Sequence, residues 1–208
     1  ERSNEVLVKV MREALAKTGI SPEVIQLIPS HDRDTTRALL HARGKVDLVI
    51  PRGSAALIRM VVDESTVPTI ETGAGVCHVY VDEKADLNKA LPIVVNSKTH
   101  RPSVCNAAET LLVHEKVKDK FLPNVLQALH NASVKLHCDD DSLQIAQGLN
   151  IPAEKATEDS WSTEYGVLEM NVAVVPSLLA ASDHILKYGT NHTEAIVTES
   201  QESADAFI

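Results

Sequence analysis

Apolar positions in the first seventeen residues recur at helical spacing. Further on they gather into short continuous runs that alternate with more helical stretches. Val6, Leu7, Val10, Met11, Ala14 and Leu15 form one stripe of a helix over 4–17, with Ser3 as N-cap and Gly19 as its stop. "EVIQLIP" (23–29), "KVDLVIP" (45–51) and "VPTIE" (67–71) read as strands. Between them, "DRDTTRALLHA" (32–42), capped by Asp32 or Asp34, and "SAALIRMVVDES" (54–65) read as helices. After a turn holding Gly73 and Gly75, strands are expected at 77–82, 110–114, around "SVKLHC", at 168–176 and at 194–199. Helices are expected over "ADLNKALPIVVNSKT", "KDKFLPNVLQALH", 140–149 and "SLLAASDHILKY", with a last one from Ser200. Pro92 predicts a kink or a displaced start in the first of these. Alternation of this kind predicts an α/β fold on a parallel sheet, because parallel strands need crossover helices. The boundary between two parts is expected near residue 72.

Composition narrows the class of partner. The 208 residues carry a formal net charge of −9, against the basic patch that nucleic acid or an anionic membrane surface needs. No apolar run approaches a membrane span, and the residues "ERSNEVLVKV" do not read as a signal peptide. Aromatics are 3%, so aliphatic residues and Ala must fill the core. The three cysteines lack CxxC spacing, and no histidines pair at metal-ligand spacing, so neither a disulfide framework nor a metal site is expected. A reducing cytoplasm fits this usage. The chain starts without Met and ends on what reads as a helix, which suggests a piece of a longer protein.

Four segments carry candidate chemistry. In "HRPSVCNAAET" (100–110), Pro102 ends the preceding helix and "CNAAE" is read as opening a helical turn. Cys105 would then have a free backbone N–H and a helix N-terminus to favour its thiolate, with Arg101 adding positive charge. The alternative is a buried cysteine acting as a small hydrophobe, the commoner fate. Gly53 and Ser54 form a strand-to-helix turn that allows close approach of a phosphate, although most such turns are only turns. Glu71 stands at a strand end facing a glycine-rich turn, where α/β proteins place active sites; a solvated carboxylate is the ordinary reading. Glu164 precedes an aromatic and a glycine, and alone reads as a surface residue. His192 lies in a loop with no assigned role.

These segments occur in an order that resembles the aldehyde dehydrogenase superfamily, and Glu71 and Cys105 are 34 residues apart, as its general base and nucleophile are. "DLVIPRGSAALI", "VPTIETGAGVCHVYVD", "RPSVCNAAETLLVHE" and "YGTNHTEAIVTE" are similar to the γ-glutamyl phosphate reductase (glutamate-5-semialdehyde dehydrogenase) family of proline biosynthesis. The resemblance covers about half of a family member. It implies that 1–72 is the C-terminal part of an NADP-binding domain and 73–208 a catalytic domain incomplete at its C-terminus. It further implies Cys105 as nucleophile and Glu71 as the residue matching the superfamily base. Gly53, Ser54 and Glu164 would serve the cofactor. The substrate would be γ-glutamyl phosphate, met by Arg101 and Asn106; a homo-oligomer is expected. Rival readings are a catalytically inert fragment, which NADPH titration would reveal by lack of saturable binding, another aldehyde dehydrogenase, or part of a bifunctional enzyme.

Overall fold

The computed structural model describes residues 2–28, 32–71 and 73–208, and the chain divides into two compact units, Glu1–Thr72 and Gly73–Ile208. In the first unit, helix α1 (Arg2–Lys17) ends in the expected way. Gly19 takes a φ of +77°, and the Ile20 N–H folds back to the Leu15 carbonyl. Helices α2 (Arg33–Leu40) and α3 (Ala55–Glu64) start on Asp32 and Ser54, whose side chains accept from the N–H groups of Asp34 and Leu57.

Among the described residues, the three strands expected in this unit do not form. Residues Pro22–Val24 make a 3-10 turn, and Pro29 lies outside the described residues. The runs at 45–51 and 67–71 are joined by one parallel bridge, Val49 to Thr69, while Val46 bridges to Arg43. Leu48, Ile50 and Ile70 are exposed, as are Val6, Leu7, Val10 and Met11 of α1. An apolar run becomes a strand when its pairing continues along a ladder, and among the described residues the single bridge between these two runs is not extended, although Val67 is buried.

The second unit is built on one six-stranded sheet in which every pairing is parallel. Its strands are β1 (Cys77–Val81), β2 (Ala108–His114), β3 (Lys135–Cys138), β4 (Ala153–Lys155), β5 (Glu169–Val175) and β6 (Glu194–Val197), in the spatial order β4-β3-β5-β2-β1-β6. The helices are α4 (Leu87–Thr99), α5 (Lys118–Asn131), α6 (Asp140–Gly148), α7 (Glu158–Trp161), α8 (Leu178–Tyr188) and α9 (Gln201–Phe207). Strand alternation divides the core between the two faces. Val79, Val81, Leu111, Val113, Met170 and Val172 pack with Ala90 and Val94 of α4 and Phe121, Leu122 and Val125 of α5. Tyr80, Leu112, Ala173 and Val175 pack with Trp161, Ala181 and Phe207 on the other face. Buried on both faces, the central strands read as largely apolar runs, interrupted by the buried His78, Glu109, Thr110 and Asn171. Pro92 lies inside α4, which starts at Leu87 on an Asp86 cap.

His184 of α8 packs edge-on against His78 and Trp161, with its Nε2 buried and without a hydrogen-bond partner. Burial, and then the neighbouring His78, push its pKa down to about 4. An unfolded chain titrates this imidazole near ~6.5. Between those values the unfolded state binds more proton, so the contribution of His184 to stability falls as pH drops from about 6.5 to about 4 and is constant below. Melting temperatures across this window should show that slope, and His184→Phe should flatten it; an unchanged slope would remove His184 as a cause.

Candidate active site

Because all six strands run the same way, the loops that lead into them lie along one edge of the sheet. Four of those loops carry the polar features of interest: 73–76 before β1, 100–107 before β2, 162–168 before β5 and 189–193 before β6. Of the sequence-derived residues, Cys105, Arg101, Asn106 and Glu164 belong to this unit. Gly53, Ser54 and Glu71 belong to the first unit.

Cys105 sits in two successive turns, closed by Val104 N–H to the Arg101 carbonyl (3.2 Å) and Ala107 N–H to the Val104 carbonyl (3.0 Å). No helical turn follows; β2 begins at Ala108. The expected helix N-terminus is therefore absent, because "AETLLVH" is captured by the sheet between β1 and β5. Among the described residues the Cys105 N–H is not given to a backbone carbonyl, and neither is that of Asn106, for which the sequence suggested no such role. Cys105 is exposed, whereas Cys77 and Cys138 are buried. Desolvation raises both buried thiols to about 11, with the charge of Glu194 adding to the effect at Cys77. Neither is a competitor for thiolate chemistry. Arg101 and Asn106 are exposed on the same turns.

Two neighbours fix the Cys105 carbonyl, and the sequence singled out neither for that role. The Cys77 thiol donates to it at 3.3 Å. Gly75 approaches so closely that a Cβ there would lie 1.8 Å from the same oxygen. The loop before β6 covers this point. Its Thr190 hydroxyl accepts from Val76 N–H (3.1 Å), and His192 Nδ1 is 3.8 Å from the Cys77 sulfur and 2.9 Å from Thr193 Oγ1. Thus His192 belongs to the surroundings of the Cys105 turn. Below it, Glu194 Oε2 accepts from both the backbone N–H and Nδ1 of His78, each at 2.9 Å.

Glu164 is exposed in the loop before β5. The next two residues anchor that loop. Tyr165 stacks on His137 with ring centroids 5.1 Å apart, and its hydroxyl donates to Asn171 Oδ1 at 2.8 Å. Gly166, at a φ of +62°, gives its N–H to Glu109 Oε1 at 3.2 Å. Glu109 in turn holds Lys98 at 2.6 Å, with both side chains buried. A signal for Lys98 was present, since the buried face of α4 repeats every four residues through Ala90, Val94 and Lys98.

In the first unit, Gly53 and Ser54 open α3 beside a cavity of ≈ 420 Å³. Arg33, Thr36 and Arg37 of α2 line one side; Ser54, Ala56, Leu57 and Met60 line the other. The start of α3 and the two guanidinium groups give this cavity a polar rim, and Arg37 also pairs with Glu64 at 3.1 Å. Glu71 is exposed near the end of this unit.

Known proteins resemble this chain along almost its whole length. The γ-glutamyl phosphate reductase of Thermobifida fusca is 51% identical over 206 residues, 99% of this chain and 48% of the relative. That of Kineococcus radiotolerans is 50% identical over 207 residues. The chain thus spans about half the length of the curated relatives it matches. The crystal structure of γ-glutamyl phosphate reductase from Thermotoga maritima superimposes with a TM-score of 0.90 at 42% identity, covering 99% of this chain and 49% of that one. An acetylating aldehyde dehydrogenase from Geobacillus thermoglucosidasius shares the fold, with a TM-score of 0.72 at 21% identity. The sequence profile of the aldehyde dehydrogenase family matches residues 2–148, well over half of the sequence, and the chain belongs to that family.

Proposed function

We propose that the protein containing this chain reduces γ-glutamyl phosphate to glutamate 5-semialdehyde, releasing phosphate, with NADPH as reductant. The observation that carries this reading is the near-50% identity to γ-glutamyl phosphate reductases along the whole chain. On this reading the first unit contributes part of the NADP-binding domain and the second most of the catalytic domain.

Cys105 attacks the acyl carbon as the thiolate. The bond from that carbon to the phosphate oxygen breaks, phosphate leaves with the electron pair, and a thioester remains on Cys105. The nicotinamide, when bound, supplies the hydride that reduces this thioester. The open N–H groups of Cys105 and Asn106 hold the oxyanion of each tetrahedral species, and their fixed turn keeps them aimed there without reorganisation. Arg101, four residues before the nucleophile, meets the acyl phosphate with a planar two-donor face. Glu164 binds the nicotinamide ribose, while Gly53, Ser54 and the arginine-rimmed cavity take the diphosphate and adenosine. Water attack on the thioester would waste substrate, so Glu71 acts in orientation and not as a base.

The reverse reaction tests this. In the full-length protein, NADP+ reduction by glutamate 5-semialdehyde should depend saturably on phosphate, because phosphate is the acceptor of the acyl group. Phosphate-independent oxidation would instead identify a hydrolytic aldehyde dehydrogenase and overturn the proposal.

A further inference from the structure

The Lys98–Glu109 pair has no evident purpose in stability. Lys98 is 0% exposed and Glu109 1%; they stand in the last turn of α4 and at the second position of β2, on either side of the loop that carries Cys105. Taking two such charges out of water costs several kcal/mol each before their attraction is counted, and apolar residues of similar volume often give equal or greater stability (~1–4 kcal/mol). Burial pushes the Glu109 carboxyl up from its ordinary range, and the Lys98 ammonium is the main force holding it down. What the pair does supply is an acceptor that packing cannot replace. One Glu109 oxygen is occupied by Lys98; the other faces Gly166 N–H. Glu109 is four residues beyond Cys105, and Gly166 two beyond Glu164. The next residue of β2, Thr110, grips the same loop indirectly. Its hydroxyl accepts from Asn171 Nδ2 at 3.2 Å, and Asn171 Oδ1 holds the Tyr165 hydroxyl. One strand therefore carries the turn of the nucleophile at its start and the anchors of the Glu164 loop immediately after it.

We propose that the buried Lys98–Glu109 pair is a positioning device that sets the Glu164 loop in register with the Cys105 turn, so that cofactor and thiol are presented to the substrate by a single strand. This deepens the proposed function and rests on its assignment of Glu164 to the cofactor ribose. Lys98 acts through Glu109 by holding its side chain in place at 2.6 Å, and neither residue touches the reacting atoms.

The test uses the full-length protein and two readouts: NADPH dissociation constant by fluorescence titration, and the rate of Cys105 alkylation by iodoacetamide. The double variant Lys98→Met/Glu109→Leu removes the acceptor while replacing the pair by apolar groups. It should weaken NADPH binding about tenfold, as expected for losing a hydrogen bond to a charged group, with the alkylation rate unchanged. Glu109→Asp keeps the charge for Lys98 but shortens the reach to Gly166. It should weaken NADPH binding in the same direction, and it decides the matter if the double variant does not fold. Unchanged NADPH affinity in Glu109→Asp, or equal disturbance of both readouts, overturns the proposal and leaves the pair a structural element. Glu164→Ala separates the two levels of argument. If it weakens NADPH binding while Glu109→Asp does not, only the positioning role fails. If Glu164→Ala has no effect, the assignment of Glu164 fails and the positioning role with it.

Discussion

Cys105→Ser is expected to lower kcat by about a thousandfold or more, because a serine hydroxyl without an adjacent base is almost wholly protonated at neutral pH. No other thiol can substitute. Cys77 and Cys138 are buried and held near 11, so thiolate is scarce at both. Phosphate-dependent NADP+ reduction by glutamate 5-semialdehyde measures the loss. Glu71→Gln serves as the counterpart and should keep most of the activity, since no water needs activation in a reductase. A comparable fall in kcat for both variants would refute this division of roles.

Gly75→Ala should impair turnover nearly as much while leaving Cys105 in place. Its new Cβ would stand 1.8 Å from the Cys105 carbonyl oxygen, 2.8 Å from the carbonyl carbon and 3.2 Å from Cα. These are backbone atoms, so relief requires the whole turn to move, not a side chain to rotate. A displacement of about 1 Å at a nucleophile costs on the order of a hundredfold in rate. Overpacking of this kind also destabilises by about 1–3 kcal/mol. The expected result is a folded protein with kcat/KM down about a hundredfold and a changed rate of Cys105 alkylation. Wild-type kinetics would mean that the turn yields easily and that its geometry is not a condition of catalysis.

The contrast between Gly75 and Cys105 indicates what the sequence made legible. The glycine was visible as part of a turn, but its need for space against a turn thirty residues away was not. Five of the six helices of the second unit were readable, with Asp139 and Ser200 as caps, because capping is local; the four-residue α7 was not expected. Five of its strands were readable as apolar runs, but β4, the short and largely exposed Ala153–Lys155, carries no such run and was missed. The same signal misled in the first unit, where Val49 and Thr69 meet in a single bridge: a run of Leu, Val and Ile does not reveal whether neighbours exist to pair with it. The turn after Cys105 was misjudged for a related reason, since two alanines and a glutamate favour a helix locally and the sheet overrides them. Lys98 and Glu109 were passed over because charged residues are almost never fully buried.

The sheet order also bears on how this molecule is made. Strand β6 pairs with β1, aligning Glu194 with His78, across nearly the whole second unit. During synthesis β1 leaves the ribosome early and waits with that edge unpaired, while β2, β3, β4 and β5 follow. The residues that cover the Cys105 turn, Thr190 and His192, arrive just before β6. Such long-range closure is slow and leaves an unpaired strand edge open to other chains. Within this stretch of chain the thiol turn is thus completed only when the segment holding Thr190 and His192 arrives, and a translation product that stops before that segment would expose the turn uncovered.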